Sequence, residues 1–111
     1  MLFGMTVALA ACSSPPTGLD SPVPEERMSA IVKAAREKDQ SAIPALITFL
    51  NSDDGAVRVA SIRTLEVLTG QTLGYDHAAP EWKRREMIRA WVEWDKQRTT
   101  PSASETTGPQ G

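Results

Sequence analysis

The stretch from Ala42 to Gly70 reads AIPALITFLNSDDGAVRVASIRTLEVLTG and predicts two helices joined by a tight turn. In its first half, apolar residues recur every three or four positions, which is the spacing of one helical face. The turn formers NSDDG then break that pattern. The helical spacing resumes until Gly70, a residue that favours the left-handed conformation at the end of a helix. We therefore predict a helical hairpin with an acidic turn as the centre of the fold.

Local signals define the ends and the buried faces of these two helices. Ser41 is the predicted N-cap of the first helix, and Pro44 fits its first turn, where a missing N–H costs no hydrogen bond. Asp54 is the predicted N-cap of the second helix, and its charge suits the positive end of the helix dipole, with Arg58 as its expected partner. The predicted apolar faces are Ile43, Leu46, Ile47 and Leu50 in the first helix, and Val57, Ser61, Thr64, Leu65 and Leu68 in the second.

The second helix also carries a motif shared with a known repeat family. Val57-Arg58 follows the Asp turn, Ser61 occupies a position for small residues, and Thr64-Leu65 and Leu68 complete the pattern. In the second helix of HEAT repeats the pattern is roughly Val-Arg-x-x-Ala-x-x-Ala-Leu-x-x-Leu, so Ser and Thr replace two alanines here. The hairpin resembles one HEAT repeat over about thirty residues. This resemblance implies a scaffold that presents a helical face to a protein partner.

Two further helices are predicted beside the hairpin. Glu25 to Asp39 is amphipathic, with Pro24 in its first turn, and Pro80 opens a helix that runs to about Arg98. A single repeat cannot bury a continuous core, so we expect both helices to act as caps. The predicted fold is an all-α, HEAT-like stack of about four helices over residues 25–98. The predicted inner faces of the two caps are Met28, Ile31, Val32 and Ala35, and Met87, Ile88, Trp91, Val92 and Trp94.

Length and charge restrict the class of protein. The chain has 111 residues, enough for one small domain, with 12 basic and 14 acidic residues. This near balance gives no reason to expect a nucleic acid as partner, and we predict none. The single Cys excludes an internal disulfide, so packing alone must hold the fold.

The N-terminus predicts secretion and lipid attachment. Residues 1–11, MLFGMTVALAA, are apolar and too few to span a bilayer, which fits the core of a signal peptide. Leu9-Ala10-Ala11-Cys12 resembles the lipobox of bacterial lipoproteins. The resemblance implies a diacylglycerol on the Cys12 thiol, cleavage before Cys12 and acylation of the new amino group. No Lys or Arg precedes the apolar run, so either the start codon lies upstream of Met1 or the free amino terminus supplies the positive charge.

The lipobox resemblance also implies a location. A multiply acylated Cys12 is a firm anchor, so we expect the domain on a bacterial cell membrane or outer membrane, outside the cytoplasm. The Pro-rich residues that complete the segment 12–24 are an expected extended, disordered tether. Ser13 after the Cys resembles the outer-membrane sorting preference of lipoproteins. The low-complexity residues 99–111 are an expected disordered tail.

Chemistry-bearing motifs are absent from the sequence. There is no phosphate loop, paired metal-ligand spacing or nucleophile elbow, so we predict no enzyme activity, metal or cofactor besides the lipid on Cys12. Tyr75-Asp76-His77 is the one polar cluster, and we interpret it as structural: Asp76 caps a turn, and Tyr75 packs on Trp82 or Leu73.

A basic patch on the last helix is the candidate partner-binding surface. Trp82 lies opposite Trp91 on that helix, where it can cover the preceding loop. The surface consists of Trp82, Arg84, Arg85 and Arg89. The sequence favours a solvated helix face, balanced by Glu81 and Glu86, over this binding role.

Three functions remain open from the sequence. The favoured one is a membrane-tethered, non-enzymatic interaction or scaffold module. A structural envelope lipoprotein without a specific partner is the second. The third is a subunit related to HEAT-like bilin lyases. A single repeat argues against this function, because one repeat offers little concave surface for a tetrapyrrole.

Overall fold

Four α-helices build the domain in the computed structural model of the chain, which describes residues 18–99. The all-α prediction is confirmed, and no strand occurs within this range. The predicted signal peptide, the predicted lipid site Cys12 and the predicted tail from residue 100 onward lie outside the described residues. The helices are α1 (Pro24–Glu37), α2 (Ile43–Phe49), α3 (Gly55–Thr69) and α4 (Glu81–Thr99), with a 3-10 turn (Gln40–Ala42) before α2.

Most predicted helix ends are confirmed. The Asp54 carboxylate accepts a hydrogen bond from the Ala56 backbone N–H at 2.9 Å and so caps α3. Gly70 ends α3 in the left-handed conformation, with φ of 81°. Pro24 stands in the first turn of α1, whereas Pro80 lies just before α4.

The predicted N-cap at Ser41 is wrong. A 3-10 turn precedes α2, so Ser41 lies inside that turn. Asp39 is the capping residue instead. Its carboxylate accepts from the Ser41 backbone N–H at 3.0 Å and from the Ser41 hydroxyl at 2.6 Å.

The hairpin of α2 and α3 supplies most of the core, as predicted. All four predicted core residues of α2 are buried, and so are all those of α3 except Leu68, which is half-buried. The predicted inward positions of Val32 in α1 and Val92 in α4 are wrong, since their side chains are 46% and 44% exposed. Ala30 and Ala34 face the core in α1, and their small side chains let α1 approach α3 closely.

The helices lie side by side in the spatial order α1, α3, α2, α4, which differs from their order in the chain. The main contacts are α1 with α3, α2 with α3, and α2 with α4. The Gln40 side-chain amide donates to the Leu68 carbonyl at 3.1 Å, so the start of α2 lies beside the end of α3. The Tyr75 hydroxyl donates to the Leu50 carbonyl at 2.6 Å, so the loop after α3 returns to the end of α2. Arg58, near the start of α3, donates to the His77 carbonyl just before α4, and Trp91 of α4 donates to the Thr72 carbonyl just after α3. Therefore α4 runs in the same direction as α3 and opposite to α2.

The folded domain begins earlier than the sequence predicted. Leu19 lies within the segment 12–24 that the sequence predicts to be a disordered tether, but its side chain is 2% exposed and belongs to the core. The Arg27 guanidinium donates to the Ser21 carbonyl at 2.8 Å, which fixes this segment on α1. Burial of one leucine side chain stabilises a fold by about 1.5–3 kcal/mol, which favours this position of the segment.

Gly18 leaves little room for a side chain, and its replacement tests this early start. Its φ is +100°, and an added Cβ would lie 3.1 Å from the Ala30 Cβ and 3.2 Å from the Glu26 carbonyl oxygen. We expect Gly18→Ala to lower the free energy of unfolding by about 1–2 kcal/mol from the backbone conformation alone, with crowding adding to that loss. Gly74→Ala is the control, because Gly74 also has a positive φ of 77° but no atom near its Cβ position. Urea denaturation of both variants measures the difference, and equal losses would contradict the close contact with α1.

Candidate interaction surface

The outer face of α4 holds most of the predicted partner-binding residues. Trp82 is 63% exposed, so it does not cover the loop as expected. Arg85 is exposed and pairs with Glu81 at 2.8 Å, one helical turn away. Arg89 is exposed one turn further along the same face. These three side chains lie in a row that points away from the core.

Arg84 does not belong to this surface, so that part of the prediction is wrong. Its side chain is buried, and one terminal nitrogen donates to the Ala79 carbonyl at 2.7 Å. Its Nε is buried without a hydrogen-bond partner. Arg84 stands seven residues before the fully buried Trp91, on the same helical face. The seven-residue spacing from Arg84 to Trp91 is visible in the sequence. The basic run Lys83-Arg84-Arg85, however, predicts that all three side chains are exposed to solvent.

A second arginine binds the loop from α3. The Arg58 guanidinium donates to the Ser52 carbonyl at 2.8 Å and to the His77 carbonyl at 3.1 Å. The expected pairing of Arg58 with Asp54 is wrong, because the Asp54 carboxylate caps α3 while Arg58 reaches carbonyls that the turn and the loop leave unpaired. Arg58 and Arg84 thus hold the loop before α4 from two sides.

The cluster Tyr75-Asp76-His77 is structural in most of its contacts. The Asp76 carboxylate accepts from the Ala78 backbone N–H at 2.9 Å, which confirms the predicted turn cap. Tyr75 is buried in the core, on which Leu73 also packs, whereas Trp82 does not. His77 is exposed. Between residues 18 and 99, no three acidic, His or Cys side chains gather as a metal site would require.

Tyr75 makes the stability of the fold sensitive to alkaline pH. Burial raises the pKa of Tyr75 above its ordinary value of 10.0, and the positive charges of Arg58 and Arg84 oppose part of that shift. The folded chain therefore holds the phenol proton more tightly than the unfolded chain. This contribution is complete below pH 10.0 and is lost as the pH rises through the folded-state pKa.

We expect Tyr75→Phe to flatten this part of the pH dependence. The variant also loses the hydrogen bond to the Leu50 carbonyl, at a cost of about 0.5–1.5 kcal/mol at neutral pH. Urea midpoints measured from neutral to strongly alkaline pH test the expectation. The wild type should fall more steeply than the variant above pH 10.0, and parallel curves would show that Tyr75 ionises freely in the folded state.

None of the helices in the described range has both the length and the apolar character to cross a bilayer. Comparison with protein-family models finds no match, and neither the curated proteins nor the solved structures include a significant match to the chain.

Proposed function

We propose that this chain is a bacterial lipoprotein whose helical domain is a membrane-tethered, non-enzymatic protein-interaction module. The observation that carries the proposal is the position of Cys12. The chain's single Cys ends the motif Leu9-Ala10-Ala11-Cys12, after an apolar segment and six residues before Gly18, the first residue that the structure describes. Acyl chains on that thiol would hold the domain at a membrane surface without a spanning helix.

A HEAT-like scaffold role for the domain has two kinds of support. The first is the motif in α3, from Val57-Arg58 to Leu68. The second is the packing order, in which α3 contacts α1 on one side and α2 on the other while α2 also contacts α4. Within this order α4 lies at the edge of the stack, against α2, which is the position of a capping helix.

The middle of the outer face of α4 is the proposed surface for a protein partner. Arg85, Arg89 and the 44% exposed Val92 lie along it, which combines two guanidinium groups with an apolar side chain. Arginine beside exposed apolar area is typical of interface cores. A partner with acidic and apolar side chains would match this row.

Capture of the partner from membranes tests this role. The domain is crosslinked to its neighbours in the membrane fraction and then recovered with them. We expect Arg89→Glu to reduce the recovery of one defined partner protein several-fold, because the reversed charge repels an acidic partner. Arg63→Glu is the matched control, since Arg63 is an exposed arginine on α3, away from the outer face of α4. Recovery should be unchanged in the control. A diffuse profile that is the same in wild type and both variants would instead favour a structural envelope protein without a specific partner.

A further inference from the structure

Three of the four helices begin at one end of the domain. The segment before α1 and the end of α2 line a common depression, in which residues 19–22 lie beside Asn51 and Ser52. Arg58 then connects the Ser52 carbonyl to the His77 carbonyl, close to the start of α4. We call this assembly of residues 18–24, 51–55 and 76–82 the anchor end. The opposite, far end contains Gln40 and Leu68, which are joined by a hydrogen bond.

The anchor end exposes apolar side chains. Trp82 is 63% exposed and Val23 is 41% exposed. The other exposed apolar residues of the anchor end are Pro22, Pro24, Ala78 and Pro80. Tryptophan prefers the interface between hydrocarbon and water, because its ring is apolar and its N–H needs a polar partner.

The chain length between Cys12 and Gly18 limits how the domain can lie. Six residues on from Cys12, Gly18 can be at most about 20 Å away even in a fully extended chain. The 14 residues of α1, which separate Gly18 from the far end, are about 21 Å long. If the far end faced the membrane, the connection would have to be fully extended along the membrane normal, which restricts the chain strongly. An anchored domain therefore favours the orientation that keeps its anchor end near the bilayer.

We propose that the anchor end faces the lipid bilayer and that Trp82 lies in the headgroup layer. This inference rests on the proposed lipid anchor at Cys12. The exposed carboxylates of Asp20, Asp53 and Asp76 lie at the same end, so attraction to anionic lipid does not hold the contact. The indole of Trp82 and the short connection hold it instead, and Arg85, Arg89 and Val92 remain above the membrane for a partner.

Two thiol labels measure this orientation in the full, acylated chain. Cys12 is the single Cys and its thiol is consumed by the lipid, so Ala78→Cys and Gln97→Cys each introduce one reactive thiol. Both positions are exposed, Ala78 at the anchor end and Gln97 near the end of α4. A fluorophore on either thiol is examined in phosphatidylethanolamine and phosphatidylglycerol vesicles that contain a lipid with a nitroxide on its headgroup. Intact mass and flotation with the vesicles first establish that the protein is acylated and bound.

We expect the Ala78 label to be quenched several-fold more than the Gln97 label, and Trp82→Ser to reduce that ratio while Trp82→Phe retains part of it. The ratio should not depend on the phosphatidylglycerol fraction. Equal or reversed quenching in acylated, vesicle-bound protein would overturn the orientation and leave the anchor intact. If the Ala78 label becomes shielded from solvent only after membrane proteins are added, the anchor end binds a protein. That result would also overturn the proposal. A chain without acyl groups that does not float with vesicles would remove the proposed anchor, and the orientation with it.

Discussion

Replacing Trp91 with alanine is expected to lower the free energy of unfolding by about 3–5 kcal/mol. The side chain is fully buried, and its Nε1 donates to the Thr72 carbonyl at 2.9 Å. Its ring meets that of Trp94 edge to face, with 5.4 Å between the centroids and 77° between the planes. The substitution would leave a cavity where α4 meets the rest of the core. It would also remove one of the two donors to the Thr72 carbonyl, which accepts from the Tyr75 backbone N–H as well. Because small domains have a total stability of about 5–15 kcal/mol, the variant should be close to unfolding.

Urea denaturation of chains that also carry Cys12→Ala measures this loss without the lipid. Val92→Ala is the control on the neighbouring position, where the side chain is 44% exposed, and its effect should stay within about 0.5 kcal/mol. Trp91→Phe keeps a large ring but lacks the N–H donor, so its midpoint should fall between those of wild type and Trp91→Ala. Similar midpoints for Trp91→Ala and Val92→Ala would contradict the placement of α4 on the core.

The central hairpin was predictable because its signals are local. The spacing of Ile43, Leu46 and Leu50 defines one helical face, and no distant residue is needed to recognise it. Asp54 and Gly70 act on backbone groups within a few positions of themselves, so their capping roles are also written in the nearby sequence.

The residues that sequence reasoning misplaced depend on distant contacts. Leu19 stands among prolines and is buried because α1 and α2 surround it, which its neighbours in the sequence do not indicate. Arg84 stays buried because its guanidinium donates to the Ala79 carbonyl. Without such a contact, a run of basic residues indicates a solvent-exposed helix face. The return of the loop to α2 depends on the bond from Tyr75 to the Leu50 carbonyl, 25 residues apart. Packing of α4 on the core buries Arg84 and leaves Trp82, Arg85 and Arg89 exposed. For this reason Arg84 alone is excluded from the predicted surface.

The largest expected effect on function is that of Cys12→Ala, which should abolish lipid attachment. The thiol supplies the sulfur of the thioether, and no other residue of the chain carries a thiol. Intact-mass analysis of the wild-type membrane fraction should show the loss of residues 1–11 together with a gain from acyl chains. Both changes should be missing in the variant, and the protein should no longer remain with the membrane after washing with high salt, which removes proteins bound by charge alone.

The position of the thiol provides a sharper control than its removal. In Cys12→Ala combined with Thr17→Cys, the chain again contains one Cys, but Pro15-Pro16 now precede it directly instead of Ala10-Ala11. We expect no acylation of this double variant, since the proposed recognition depends on small residues immediately before the Cys. Acylation at position 17 would show that the motif is not what selects Cys12. An unmodified wild-type chain recovered from the cytosol would end the lipoprotein proposal and leave a helical domain with Arg85, Arg89 and Val92 exposed along α4.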